Sequence, residues 1–242
     1  MNILLLGGTS DAITLAKKLL ELNVNLIYSI AGIVRQPQLN CRIHSGGFQG
    51  KLADYLQQQQ IKILIDATHP YAVNISQQAK QACTTTATPY LQYIRPAWQP
   101  NKNDNWISFD TIDSLLEHLK PYKKPFFTLG QKPIDHLDKI PNQQHWLIRT
   151  ATQTHIKHPK ATIIKQIGSF SIANELELFK HYQIDALICK NSGSNKVSAK
   201  LSAAKQLNIP VFMQNRPSEK IQGDYFSNID ELIEEVLLKC VS

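Results

Sequence analysis

A glycine pair and two hydroxyl residues, Gly7-Gly8-Thr9-Ser10, separate a short apolar segment from an amphipathic one near the start of the chain. Two glycines let the backbone turn sharply and approach a ligand closely. The threonine and serine offer hydroxyl and backbone N–H groups, which bind phosphate at a helix N-terminus but equally cap a plain strand-to-helix turn. Because Asp11-Ala12 fills the third small position, the G-x-G-x-x-G pattern of dinucleotide-binding folds is incomplete, and both interpretations stay open.

Arg35 bears on which dinucleotide such a turn would bind. NAD-specific folds place an acidic residue at the end of the second strand, where it binds the ribose hydroxyls. The second strand predicted here, residues 25–31, ends without an acidic residue, and Arg35 follows it in the next loop. This pattern favours the additional phosphate of NADPH. NADH remains the alternative, and a plain surface position for Arg35 is equally open.

The segment DATHPYA, residues 66–72, follows the apolar strand predicted at 61–66 and opens a helix predicted at 69–84. Because the carboxyl ends of parallel strands share one sheet edge, we expect this segment to lie beside the glycine turn. There Asp66, Ala67 and Thr68 would contribute to cofactor binding, or Asp66 or Thr68 would cap the helix. His69 and Tyr71 are candidates for proton transfer, although a histidine at a helix start is more often structural.

A second turn suited to anions, KNSGSNK, comes after a strand in the second half of the chain. Serine, glycine and asparagine backbones form concave anion-binding nests, and lysines flank this one. A solvated loop with ordinary surface lysines would look the same. If the turn binds a ligand, that ligand carries several negative groups, and the candidate residues are Lys190, Asn191, Ser192, Gly193, Lys196, Lys200 and Arg216.

Strand and helix periodicities alternate along the chain, which implies parallel sheets covered by helices. We predict strands at 3–6, 25–31, 61–66, 89–94, 106–109, 125–129, 145–149, 161–166, 185–190 and 210–214. Helices are predicted at 11–22, 51–60, 69–84, 113–119, 172–182, 199–207 and 228–239. The proline-rich, polar residues 95–105 read as a linker. The prediction is an α/β protein with two Rossmann-like parallel-sheet domains, a cofactor domain at 1–98 and a substrate domain at 104–242, with the ligand cleft between them.

The composition excludes several classes of protein. The 242 residues are 43% hydrophobic and 19% charged, and no apolar run approaches the roughly 20 residues of a membrane helix. The four cysteines are scattered without a C-x-x-C pair, which argues against zinc and disulfides and for reduced thiols in the cytoplasm. The net charge of +7 comes from dispersed basic residues without interleaved aromatics, so we expect an anionic small molecule as partner, not nucleic acid.

Ordered segments over nearly the whole chain resemble the precorrin-6A reductase and cobalt-precorrin-6A reductase family of cobalamin biosynthesis. The segments in the first half are ILLLGGTSDA, SIAGIVRQP, SGGFQG, LIDATHPYA and YIRPAW. Those in the second half are TLGQKPIDHL, IGSFSIANELELF, ALICKNSGSNKVSAKLSAAKQLNIPVFM and NRP. The chain departs from the family pattern at Ile33, where a polar residue is usual, at Ser169, where proline is common, and at Ser194, where a second glycine is common.

This resemblance implies a reductase that transfers a hydride from a nicotinamide to a double bond of precorrin-6A, giving precorrin-6B. The glycine turn and Arg35 would then bind the cofactor phosphates, and DATHPYA would lie near the nicotinamide. The KNSGSNK turn, Lys200 and Arg216 would bind the carboxylates of the tetrapyrrole. His69, Tyr71, Lys190 and solvent are the candidate proton donors. Another NAD(P)H-dependent reductase and a non-catalytic tetrapyrrole- or nucleotide-binding protein are the alternatives, and the metal state of the substrate and the oligomeric state stay open.

Overall fold

The computed structural model describes residues 1–32, 37–48, 51–221 and 224–241. They form two compact units, one made of Met1–Pro96 with Pro217–Ser242 and the other of Ala97–Arg216. The predicted second domain ran from residue 104 to the end of the chain, and the structure corrects this for residues 217–242. It belongs to the first unit because Leu232 and Val236 of its helix are fully buried in the first unit's core.

Strands and helices alternate through the described chain. The strands are β1 Asn2–Leu6, β2 Asn25–Ile30, β3 Arg42–Ser45, β4 Ile61–Asp66, β5 Tyr90–Gln92, β6 Trp106–Phe109, β7 Pro125–Thr128, β8 Trp146–Thr150, β9 Ala161–Lys165, β10 Ala186–Lys190 and β11 Val211–Gln214. The α-helices are α1 Ser10–Glu21, α2 Leu52–Gln58, α3 Val73–Thr86, α4 Ile112–Leu119, α5 Ile172–His181, α6 Ala199–Gln206 and α7 Ile229–Val241. Short 3-10 segments occupy Lys132–Lys139, Asn195–Val197 and Ser218–Ile221.

The first unit is built on a parallel sheet with the strand order β3-β2-β1-β4-β5. The central strand β1 is apolar on both faces because helices cover both. Ile3 and Leu5 pack in the cluster that contains α1 and α7, whereas Leu4 and Leu6 pack in the cluster that contains α2 and α3. The strand order reverses between β1 and β4, and ligands of open α/β sheets bind at such a reversal, beyond the carboxyl ends of the strands.

The second unit has a six-stranded parallel sheet with the order β6-β11-β10-β7-β8-β9. Its central strands also alternate between two cores. Phe127 packs with Leu115 of α4 on one face, and Phe126 packs with Phe179 of α5 on the other. The predicted α/β class with two parallel-sheet domains is therefore confirmed. Within the described residues, no helix has both the length and the apolarity needed to cross a bilayer.

The structure differs from the predicted elements at α3 and at β3, in each case for a local reason. The helix predicted from residue 69 starts at Val73, because residues 69–72 form a turn in which the Ala72 N–H donates to the His69 carbonyl at 2.8 Å. The strand β3 was not predicted, since three of its four residues, RIHS, are polar and none of the four is fully buried. β3 nevertheless adds a fifth strand beside β2 and thereby extends the carboxyl edge of the sheet.

Candidate functional site

The side chain of Tyr28, from the neighbouring strand β2, packs against the glycine turn after β1. A Cβ atom built on Gly7 would lie 2.2 Å from Tyr28 Cζ, so only glycine fits there. The Tyr28 hydroxyl accepts the Gly8 N–H at 3.0 Å. Burial raises the pKa of Tyr28, so this hydroxyl stays protonated at neutral pH. Gly8 itself has φ of +98°, and a Cβ atom there would meet nothing within 4 Å, so the turn is open on its outer side.

Thr9 is the cap of α1. Its Oγ1 accepts the Ala12 N–H at 3.0 Å and donates to the Ala67 carbonyl at 3.0 Å, and the residue is buried. The Thr9 hydroxyl and the Ala67 carbonyl therefore tie the turn after β1 to the end of β4. Ser10 is half-buried, and its hydroxyl makes a longer contact of 3.4 Å to Asp11 Oδ1.

Asp11 carries a negative charge in the first turn of α1, beside the glycine turn. Arg95, which follows β5, lies with its Nε 2.9 Å from Asp11 Oδ2 and is itself almost fully buried. The positive charge of Arg95 offsets the negative charge of the Asp11 carboxylate, which would otherwise repel a phosphate at the glycine turn.

Asp66, at the end of β4, is fully buried and is the centre of a hydrogen-bond network. Its Oδ1 accepts the Thr68 N–H at 3.0 Å and the Thr68 hydroxyl at 2.6 Å. Its Oδ2 accepts the hydroxyls of Ser76 and of Tyr90, the latter at 2.8 Å. With both oxygens occupied inside the protein, Asp66 orders the loop after β4, and neither the cofactor contact nor the helix cap predicted for its side chain fits this geometry.

The cation of this network is Lys220, which comes from the C-terminal segment. Its Nζ lies 2.9 Å from Asp66 Oδ2, donates to Thr68 Oγ1 at 2.8 Å and also contacts the Ser76 hydroxyl. Burial alone would raise the pKa of Asp66, but the Lys220 ammonium and the hydrogen bonds from Ser76 and Thr68 outweigh burial and hold that pKa below its usual range. The carboxylate therefore stays ionised inside the protein.

His69 and Tyr71 lie in the turn between β4 and α3, next to this network. Nδ1 of His69 accepts the Tyr71 N–H at 3.3 Å, so a neutral His69 carries its ring proton on Nε2. The two rings are 5.6 Å apart, and both residues are half-buried. They follow the strand next to β1 and share the carboxyl edge with the glycine turn, as the sequence predicted. Arg35, the predicted ligand of the 2′-phosphate, lies outside the described residues.

In the second unit, Asn191 uses its side chain to hold residue Trp98. Its Oδ1 accepts the Trp98 N–H at 2.8 Å, and its Nδ2 donates to the Trp98 carbonyl at 3.0 Å. Arg216 donates from Nε to the Asn191 carbonyl at 2.9 Å. Both were predicted to bind substrate, which stays a prediction. The contacts show that they fix the ends of β10 and β11 to the segment at Trp98.

The lysines in the KNSGSNK turn and in the helix α6 that follows it differ strongly in exposure. Lys200 is buried, donates to the Val197 carbonyl at 3.0 Å and lies over the Trp98 ring, so direct substrate binding by its ammonium does not fit the structure. Lys196 is exposed. Lys190 is half-buried, and burial together with the nearby charge of Lys132 lowers its pKa. Ser192 is buried and accepts the Ser194 N–H at 3.4 Å, while Gly193 adopts φ of +70°.

A buried ion pair between Arg149 and Glu175 also lies in the second unit. Their two hydrogen bonds measure 2.7 and 3.0 Å, and the guanidinium stacks 4.2 Å from the centre of the Phe170 ring and 4.8 Å from that of Phe126. Arg149 lies within the buried strand β8, and Glu175 lies on the buried face of α5. The pair joins the sheet to the helix.

Comparison with known proteins identifies the family. The family model described as Precorrin-6x reductase CbiJ/CobK matches residues 2–237. The chain belongs to this precorrin-6x reductase family. It is 34% identical to the precorrin-6A reductase of Rhodococcus erythropolis, over 89% of each chain, and 28% identical to the cobalt-precorrin-6A reductase of Methanocaldococcus jannaschii, over 98% of each. A solved structure titled CobK precorrin-6A reductase superposes with a TM-score of 0.89 at 28% identity, covering 99% of this chain and 97% of that one.

In this member of the precorrin-6x reductase family, two residues that position the glycine turn and the loop after β4 were not predicted from the sequence. They are Tyr28 and Lys220. Lys220 gave no local signal, because it stands in a polar segment far from Asp66 in sequence. Tyr28 did give a local signal, since it is the largest residue of β2, the strand that comes next in the chain after the glycine turn and α1. A bulky side chain on the neighbouring strand is a reason for glycine where backbone and side chain approach closely.

Proposed function

We propose that this protein reduces one double bond of the precorrin-6A macrocycle to give the 6B form, with NADPH as the hydride donor. The family match over residues 2–237 supports the reaction class. Relatives named precorrin-6A reductase share 34% and 32% of residues with this chain, against 28% and 26% for relatives named cobalt-precorrin-6A reductase. This difference favours the metal-free macrocycle as the substrate.

The first unit has the features that a dinucleotide requires. The turn is open in front of Gly8, and the half-buried Ser10 stands at the N-terminus of the twelve-residue helix α1. Backbone N–H groups and the helix dipole favour a phosphate at that position. Gly8 and Ser10 would hold the pyrophosphate, whereas Gly7 and Thr9 shape the turn and contact a ligand through backbone atoms at most. When bound, the nicotinamide supplies the hydride that one carbon of the substrate double bond accepts.

The loop after β4 would lie beside the nicotinamide. Thr68 is half-buried and makes hydrogen bonds to Asp66 and Lys220, which hold the backbone that leads into His69. Reduction of a double bond needs a proton on the second carbon as well as a hydride on the first. Nε2 of His69, the Tyr71 hydroxyl and the Lys190 ammonium are the candidate donors from this chain, with solvent as the alternative.

The second unit would bind the acidic groups of the tetrapyrrole. Lys196 is exposed and Lys190 is half-buried at the carboxyl edge of the second sheet, and the Gly193 backbone turns with positive φ between them. Backbone nests of this kind bind carboxylates and phosphates. Charges on this edge are screened beyond about 8 Å at physiological ionic strength, so they act on a bound substrate and add little to long-range steering.

A turnover assay tests this function directly. The full-length protein is incubated with metal-free or cobalt-loaded precorrin-6A and with NADPH or NADH, while the tetrapyrrole spectrum and the nicotinamide absorbance are recorded. We expect both to change together, fastest with the metal-free macrocycle and NADPH. Tetrapyrrole binding without nicotinamide oxidation would instead indicate a non-catalytic carrier, and an unchanged spectrum with both cofactors would overturn the proposal.

Arg35→Ala tests the choice of cofactor. Because the predicted role of Arg35 is to bind the 2′-phosphate, this change should raise the Michaelis constant for NADPH much more than that for NADH. Lys62→Ala, at an exposed lysine of β4, serves as the control for lost surface charge. Equal effects of Arg35→Ala on the two cofactors would contradict a 2′-phosphate role.

A further inference from the structure

The C-terminal segment of the first unit, which begins at Pro217, places a lysine in the interior of that unit. Ser218 and Glu219 are exposed, whereas the side chain of Lys220, in the same 3-10 segment, is fully buried. A buried charge is costly unless it is paired and its polar hydrogens are bonded. The hydrogen bonds that Lys220 makes therefore indicate what this residue does.

The ammonium of Lys220 uses its three N–H groups on three different residues. Its Nζ lies 2.9 Å from Asp66 Oδ2 and 2.8 Å from Thr68 Oγ1, and it also contacts the Ser76 hydroxyl. An ammonium has three donors and no acceptor, so this set satisfies it completely. One bond pairs the charge, and the other two reach hydroxyls on either side of the turn at residues 69–72. The same two hydroxyls donate to Asp66, so the ammonium and the carboxylate together fix their orientation.

The helix α3, which follows this turn, begins without a side-chain cap because its N-cap residue is Ala72. The Ser76 hydroxyl lies 3.1 Å from the Ala72 carbonyl, and the Ala72 N–H donates to the His69 carbonyl at 2.8 Å. Lys220 thus holds Thr68, directly before the turn, and through Ser76 it also holds Ala72, the last residue of the turn.

The turn carries His69 and Tyr71, two of the candidate proton donors, at the carboxyl edge of the first sheet. A donor must come within about 2.6–3.2 Å of the atom that receives the proton, so the backbone that carries the donor has to be held in place. On the basis of the proposed function, we propose that Lys220 is a positioning residue of the reduction. Its ammonium holds both ends of the turn in the conformation that the transfer needs.

Hydrogen exchange of the full-length protein separates this role from stability. The double variant Asp66→Asn with Lys220→Met has no unpaired buried charge, but it lacks the ammonium at the two hydroxyls. The amides of residues 68–72 should exchange about tenfold faster or more in this variant, since a hydrogen bond from a charged group contributes that much. Exchange in β1 should change little. Lys62→Met, at an exposed lysine of β4, is the control.

Single-turnover kinetics measures the reduction itself. The NADPH complex of the full-length protein is mixed with precorrin-6A, so that the amplitude reports the amount of folded enzyme and the rate constant reports the geometry of the transfer. Lys220→Ala should lower the rate constant about 100-fold, since a misplacement of about 1 Å costs that much, and leave the Michaelis constant for NADPH unchanged. Propylammonium replaces the carbons and the ammonium that Lys220→Ala removes and should restore the rate constant. Propanol, which lacks the charge, should not.

Ser76→Ala decides the question if Lys220→Ala does not fold. It removes one of the two hydroxyls that Lys220 holds and should lower the rate constant severalfold, whereas Thr84→Ala, at an exposed threonine of the same helix, is the matched control. An unchanged rate constant in Ser76→Ala or in the double variant, or full recovery of Lys220→Ala with propanol, would overturn the positioning role and leave the proposed function intact. If the unmodified protein does not reduce precorrin-6A, the proposed function fails and this role fails with it.

Discussion

The ammonium of Lys220 lies 2.9 Å from the carboxylate of Asp66, and both side chains are fully buried although 154 residues separate them in sequence. A buried pair of this kind is expensive to break, since the remaining charge stays inside without a partner. The pair fastens the C-terminal segment to the loop after β4, and through Thr68 it orders the backbone next to His69. The segment is therefore structurally part of the first unit.

Lys220→Met should lower the free energy of unfolding of the first unit by about 3–5 kcal/mol, because Asp66 is left as an unpaired buried charge. The double variant Asp66→Asn with Lys220→Met removes both charges and should recover a large part of this loss. Chemical denaturation, with hydrogen exchange in β4 as a second measurement, gives the free energy of unfolding of the single and the double variant. Lys18→Met, which breaks the exposed pair with Asp230, is the control and should have little effect. Equal losses for Lys220→Met and Lys18→Met would contradict a central role for the buried pair.

The acid stability of the first unit should depend on Asp66. Its pKa is lower in the folded state than in the unfolded chain, so its contribution to stability is complete above the unfolded value of about 3.9 and is lost as the pH falls through the folded value. We expect a steep loss of stability below about pH 4, measured as unfolding free energy against pH. The double variant without either charge should show a shallower acid limb. Parallel acid limbs in the two proteins would mean that other carboxylates dominate.

The elements that position the site followed from local patterns in the sequence, and the contacts between them did not. Apolar runs and glycine turns place β1, β4 and their loops within a residue or two of the predicted bounds, because these signals are contained in ten or so residues. The mostly polar strand β3 lacks such a signal, and the aromatic cluster of His44, Phe48 and Tyr55 at its end was missed with it. Lys220 was missed because no local pattern marks the partner of a carboxylate that lies on another element.

Gly7→Ala should damage the glycine turn more than Gly8→Ala does. A Cβ at Gly7 would overlap the Tyr28 ring, whereas one at Gly8 meets open space and suffers only from its φ of +98°. We expect Gly7→Ala to lower both the melting temperature and the NADPH affinity. Gly8→Ala should cost about 1–2 kcal/mol in backbone strain. A second-site change, Tyr28→Leu, makes room and should partly rescue Gly7→Ala but not Gly8→Ala. Rescue of neither variant would show that the overlap with Tyr28 is not the cause.

The alkaline limb of the activity profile should report on Lys190 if its ammonium donates the proton. Burial and the charge of Lys132 lower the pKa of Lys190, so the proton is lost at a lower pH than from an ordinary lysine near pH 10.4. Activity should fall as the pH rises through this lowered value. Lys132→Met removes the like charge and should move the limb to higher pH, whereas Lys196→Met, at an exposed lysine of the same turn as Lys190, should leave it in place. If the alkaline limb keeps its position in Lys132→Met and Lys190→Met retains activity, Lys190 is not the proton donor. His69 and Tyr71 are then the remaining side-chain candidates.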